Sequence, residues 1–132
     1  MYRDDETRLI ILVVEDVAET RDGIEKLLTT DGYRVALARD ERDAIESARR
    51  KCPDLMLVSL AGSTSEVITT ARRIRAVAGI GELVPVVIFC IESIGQGDDL
   101  AIGQNVHISR PDNFNQLRRL LTRLLHAVPL AA

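Results

Sequence analysis

Tryptophan is absent from the 132 residues, and the aromatics amount to two Tyr and two Phe. A base-stacking platform for single-stranded nucleic acid needs more ring faces than that. Positive charge is not in surplus either: 17 Lys and Arg stand against 20 Asp and Glu, a formal net charge of −3. Phosphate-backbone binders are usually basic, so no nucleic-acid partner is expected. The two cysteines, Cys52 and Cys90, form neither a CxxC pair nor a zinc spacing, and two reduced, partly buried thiols are expected. No apolar run approaches the roughly 18 residues of a membrane span. The stretch 1–8 carries Asp4, Asp5 and Glu6 and lacks the basic start and apolar core of a secretory signal. A cytoplasmic protein without membrane contact is expected.

The chain also lacks repeats, low-complexity tracts and linkers, and its length suits one domain of about 100–200 residues. What it has is an alternation of two apolar periods. Residues 9–14 are a continuous apolar run, Leu-Ile-Ile-Leu-Val-Val, as in a strand buried on both faces of a parallel sheet. Further strands are predicted at 34–38, 55–60, 84–91 and 106–109. Helical spacing is predicted over 19–30, 41–51, 65–78 and 113–127, the last with a stripe of Leu117, Leu120, Leu121 and Leu124. A shorter helix is predicted over 98–104. Asp31 and Gly32 close the first helix, Gly79 and Gly81 the third. Pro53 and Pro85 stand just ahead of two strands, where a missing N–H does least harm.

Strict strand–helix alternation argues for an α/β fold, a three-layer (βα)5 sandwich. Right-handed crossovers favour the flavodoxin-like, five-stranded parallel order 2-1-3-4-5, with the site at the carboxyl ends of the strands. There the sequence places Glu15, Asp16, Ser59, Cys90 and Arg110. Two adjacent acids at a strand end suit a divalent cation or a basic side chain between them. They equally suit a solvated helix start favoured by the helix dipole.

Five segments, in order and spacing, carry a resemblance over about residues 9–126. They are Leu12 to Asp16, Asp31-Gly32-Tyr33, Pro53 to Val58, Pro85-Val86-Val87 and Arg110-Pro111. The chain resembles a response-regulator receiver domain of two-component signalling. The resemblance implies a domain over 9–127, with tails at 1–8 and 128–132. In that family two acids after the first strand hold Mg²⁺, and an Asp ending the third strand takes a phosphoryl group from phosphohistidine. A Thr or Ser after the fourth strand bonds that group, a Lys before Pro neutralises it, and an aromatic residue on the fifth strand turns inward.

Only the acid pair carries over, as Glu15 and Asp16, and both are weak metal candidates. Ser59 holds the acceptor position, Cys90 the hydroxyl position, Arg110 the Lys position and His107 the aromatic switch position. A Ser hydroxyl is neutral and needs a neighbouring base to react. Even then it would form a stable ester in place of a labile acyl phosphate. With one ligand missing, Mg²⁺ is expected to bind weakly or not at all, and Arg110 is expected to fold over Glu15 or Asp16 through its planar fork. Cys90 is a poor donor. His107 has an unperturbed pKa suited to pH sensing, against the plainer reading of a polar residue at a strand edge.

Fifteen of the basic residues are Arg and two are Lys. Arg72, Arg73 and Arg75 on the third helix read as a solvated face. Arg118, Arg119 and Arg123 on the last helix are expected at a partner interface, since Arg is enriched at hot spots. The resemblance places the output on the face made by the fourth helix, fifth strand and fifth helix, where a second copy is one candidate partner, with Asp98, Asp99 and Asp112 as complementary charge. The function expected is a non-enzymatic, phosphorylation-independent protein-binding module with no catalytic residues. The alternatives are Ser/Thr phosphorylation near Ser59, at Ser63, Thr64 or Ser65, and a small molecule in the same crevice beside Gly95, Gln96 and Gly97.

Overall fold

A computed structural model describes residues 8–89 and 94–126. Strand β1 (Ile10–Glu15) is buried at every position, as its unbroken apolar run requires. It pairs in parallel with β2 (Arg34–Ala38) and β3 (Leu55–Ser59). Strand β4 (Val86–Phe89) extends the sheet from β3, and β6 (Val106–Ser109) from β4, both parallel. Side chains alternate faces along each strand, so β1 feeds two cores. Leu12 and Val14 join Met56, Val58 and Ile88 on one face. Ile11 and Val13 join Leu55, Leu57 and Val87 on the other.

Helices α2 (Glu41–Arg50) and α3 (Thr64–Ala78) cover the first face, through Ala44, Ala48, Val67, Ala71 and Ile74. Helices α1 (Ala18–Thr30) and α4 (Phe114–Leu125) cover the second, through Ile24, Leu28, Leu117, Leu120 and Leu121. Local chemistry sets their ends. Asp40 caps α2 by accepting from the Asp43 N–H, and Asn113 caps α4 through the Gln116 N–H. Ser63 and Glu66 form a reciprocal capping box on α3, and Gly79 ends that helix in the left-handed region.

The flavodoxin-like α/β sandwich is therefore as expected, with one departure. The sheet has six strands in the order β2-β1-β3-β4-β6-β5. The short helix expected over 98–104 is strand β5 (Asp99–Ala101), antiparallel to β6. The reason is pairing with β6: the alternation of Leu100 and Ile102 with Asp99 and Ala101 suits a strand but is too short to decide by itself. Gly97 and Gly103 bracket it at φ 86° and 101°. Gln104 and Asn105 then turn the chain at φ 57° and 60°, the left-handed pair that a tight hairpin needs.

Arg75 supports that turn. The third-helix arginines are not all solvated: Arg75 is 8% exposed and donates to the carbonyls of Val84 (2.7 Å), Gln104 and Asn105. A planar donor fork suits carbonyls from separate segments, and it ties α3 to the hairpin. Arg73 behaves as a surface residue, with Nη2 paired to Glu41 Oε1 at 2.6 Å.

Candidate functional site

The carboxyl ends of β1 and β3 are adjacent because Glu15 and Ser59 are in register. Glu15 is 4% exposed, whereas Asp16, the next residue, is exposed. The expected acid pair is thus one buried and one solvated carboxylate. The Ser59 hydroxyl donates to Glu15 Oε1 at 3.0 Å. The Val17 N–H donates to Oε2 at 3.3 Å. Val17 precedes α1 and offers no side-chain cap of its own, so Glu15 serves that helix end, where a negative charge is favoured. Burial still dominates: desolvation pushes the Glu15 carboxyl above the ordinary range, against the pull of the Val17 and Ser59 bonds, with Asp16 adding to the rise.

Asp16 Oδ2 accepts a long bond from the Ala61 N–H at 3.4 Å. Every carboxylate oxygen named so far is held by a donor of the chain itself. Among the described residues no group of three His, Cys, Asp or Glu side chains could hold a metal ion. The donor set, one buried carboxylate engaged at both oxygens and one exposed carboxylate, does not fit a hard cation that wants several oxygen ligands.

Arg110 does not fold over the acids. No ion pair joins it to Glu15 or Asp16 among the described residues, and its Nη1 donates to the Ile94 carbonyl at 3.3 Å. Its backbone explains this: Arg110 N–H donates to Asp98 O at 3.0 Å, and Gly97 N–H to Arg110 O at 2.7 Å. The extended hairpin thereby draws residue 110 towards the 94–98 loop. The cation near Glu15 is Arg21, whose Nη1 donates to the Glu15 carbonyl at 2.9 Å. Sequence reasoning missed it. Its signal was a basic residue one turn into the helix that follows the first strand.

Cys90 lies outside the described residues. Cys52 is an exposed free thiol, not a partly buried one, because it follows the C-terminus of α2 in a surface turn. His107 is not at a strand edge, since β5 covers β6. It is half-buried, and its ring Nε2 lies 2.9 Å from Asn105 Oδ1. Burial, then the nearby Arg123, holds its pKa below the ordinary value. Asp99 opposes that shift and Arg75 adds to it.

The last-helix arginines are partly engaged within the chain. Arg118 Nε pairs with Asp31 at 2.7 Å, and Arg123 Nη2 with Asp99 at 3.2 Å. Arg119 is exposed. Asp112 accepts from Gln96 Nε2 at 2.6 Å, so the stretch 95–97 is tied to the start of α4. An open cleft of about 500 Å³ sits beside Ser59, lined mainly by Ile24, Leu27, Phe89, Pro111, Phe114 and Leu117.

No family model matches the chain. It is 32% identical over 130 residues to the sensor histidine kinase AruS of Pseudomonas aeruginosa, covering 94% of this chain and 13% of that protein. It is 30% identical over 117 residues to the transcriptional regulatory protein ZraR of Escherichia coli, covering 87% of this chain and 26% of that one. The chain therefore spans an eighth to a quarter of these relatives. A solved receiver domain of a Pseudomonas aeruginosa sensor histidine kinase, with a magnesium ion coordinated in its active-site cleft, matches at TM-score 0.67. The match is 26% identical and covers 92% of this chain and 100% of that one. The Vibrio cholerae chemotaxis protein CheY4 matches in fold at TM-score 0.69 and 21% identity, over 90% of this chain and 100% of that one.

Proposed function

Taking the chain as a response-regulator receiver domain of two-component signalling, which its fold and relatives support, we propose that it binds a partner protein without taking a phosphoryl group. The observation that carries this reading is the Ser59–Glu15 contact. At the strand end where the family places its acceptor Asp, this chain has a hydroxyl whose proton is directed at a buried carboxylate. The hydroxyl–carboxylate pair has the outline of a nucleophile and a base. Among the described residues, however, no cation faces the hydroxyl: Arg110 bonds to Ile94 and Arg21 to a backbone carbonyl. Among the described residues a transferred phosphoryl group would meet the Glu15 carboxylate with only Arg21 nearby, and that guanidinium is engaged by the Glu15 backbone carbonyl. The same repulsion counts against phosphorylation of Ser59 by a Ser/Thr kinase. The module is accordingly read as non-enzymatic, with weak Mg²⁺ binding at most.

The test is a backbone amide NMR titration with Mg²⁺ and then beryllofluoride. Amides at 15, 16, 59 and 106–120 are expected to stay in place. Coherent movement of the pocket together with 106–120 overturns the reading. A second reading, a small apolar ligand beside Ser59, draws on the cleft of about 500 Å³, a size common for ligand sites. A molecule carried through purification and identified by native mass spectrometry would favour it.

A further inference from the structure

We propose that the free edge of β5 pairs, antiparallel, with the β5 edge of a second copy of this chain, about a two-fold axis at Leu100. The proposal rests on the reading of the chain as a protein-binding module. It also relocates the expected homodimer face, whose fourth helix is replaced here by this strand.

Among the described residues strand β5 ends the sheet, and all three of its residues are exposed. The register decides which backbone groups face outward. Arg110 N–H donates to Asp98 O, and Ile102 N–H to Val106 O. With Asp99 opposite Ser109 and Ala101 opposite His107, these are the flanks of non-bonded pairs. Leu100 therefore makes the ladder bonds to Ile108, and the N–H and C=O groups of Asp99 and Ala101 point away from the sheet.

Those groups lie symmetrically about Leu100, so the edge is complementary to itself. Placing Asp99 opposite Ala101 of the second copy closes four backbone hydrogen bonds, two at each end. Leu100 then faces its own counterpart as a non-bonded pair, where side chains approach most closely. It is 51% exposed, an apolar side chain that this contact would cover.

Charge agrees on both faces. Asp98 falls opposite Ile102 of the second copy, whose carbonyl accepts from Arg72 Nη2 at 3.4 Å. On the α4 face, Asp99 falls opposite Ala101, whose cross-strand neighbour is His107. Arg123 reaches that neighbourhood, since it pairs with Asp99 and acts on His107. Each acid of one copy thus meets a basic side chain of the other, as an isologous interface requires. Three residues bury far less than the roughly 800 Å² per partner of a stable interface, so the dimer dissociates on dilution.

Sedimentation velocity of the full chain from micromolar to millimolar concentration is expected to show a monomer passing to a dimer. Amide exchange over the same range is expected to protect Asp99 and Ala101 only at the high end, with Leu100 and Ile108 protected throughout. Ala101→Pro removes an outward N–H that the intrachain ladder does not use, and is expected to abolish the dimer. Asp98→Arg is expected to weaken it, and Arg72→Asp in the same chain to restore it, a readout that survives if the proline variant misfolds. A monomer at every concentration, or a dimer indifferent to these changes with Asp99 and Ala101 unprotected, overturns the proposal. Asp99 and Ala101 amides protected in the dilute monomer also overturn it. Sedimentation reads the edge and beryllofluoride reads the pocket, so each can fail without the other.

Discussion

The Ser59 hydroxyl donates to Glu15 Oε1 across 3.0 Å, joining the ends of two adjacent central strands. This bond supplies one of the two donors named for a carboxylate that burial disfavours. Ser59→Ala is expected to raise the Glu15 pKa further and to cost about 1–3 kcal/mol, the range for leaving a buried polar group short of a partner. Carboxyl-carbon NMR and urea unfolding check the two effects.

Ser59→Asp adds a third carboxylate beside Glu15. Like charges at that distance raise both pKa values and lower stability at neutral pH. Added Mg²⁺ is expected to recover the loss, since three carboxylates begin to resemble a hard-cation site. Thermal unfolding with and without millimolar Mg²⁺ reads the difference, which should be absent in the unmodified protein.

His107 has a folded-state pKa below its unfolded value, chiefly through burial. The unfolded chain therefore takes up a proton at a higher pH than the folded one. Stability is full above the ordinary histidine pKa and falls as pH drops through that value towards the folded one. Glu15 has the opposite sign. Its raised pKa disfavours the folded state as pH rises through the carboxylate range. His107→Gln is expected to flatten the loss between neutral and mildly acid pH. Unfolding free energies across that window check it.

Arg75 is buried against three carbonyls from β4's approach and the hairpin turn. Arg75→Ala strands those acceptors and is expected to cost about 2–4 kcal/mol, several times an exposed substitution. The exposed Arg73→Ala, which breaks a surface pair with Glu41, should cost far less, since solvent screens that pair. Paired denaturation curves separate them.

Gln104 holds φ 57°, a conformation that costs an L-residue roughly 1–2 kcal/mol. Gln104→Gly removes that cost but adds unfolded-chain entropy of about 0.5–1 kcal/mol. It is expected to be neutral to slightly stabilising, and Gln104→Val clearly destabilising. Melting temperatures of the two variants decide.

The strands of the sheet's centre were legible because their chemistry is local. An unbroken apolar run such as residues 10–14 can only be satisfied with a layer on each face. The helices α1 to α4 announced themselves by apolar spacing, and α1 and α3 also by the Asp31-Gly32 and Gly79 that close them. That Glu15 and Ser59 meet was also readable, because strand ends in a parallel sheet converge by topology.

Other features depended on groups distant in sequence. Residues 98–104 are too short for either period to dominate, and pairing with β6 decided for a strand. That strand then covered His107, drew Arg110 away from the acids and left Arg75 buried beneath the turn. Glu15 and Asp16 are neighbours in the chain, yet one is buried and the other solvated, because Glu15 is the last residue of the covered strand β1 and Asp16 lies beyond it in the bend that leads to α1. Sequence alone determined which residue types reach the site. Only the tertiary structure decided which charges meet, since desolvation and hydrogen-bond geometry are set by what packs across the sheet.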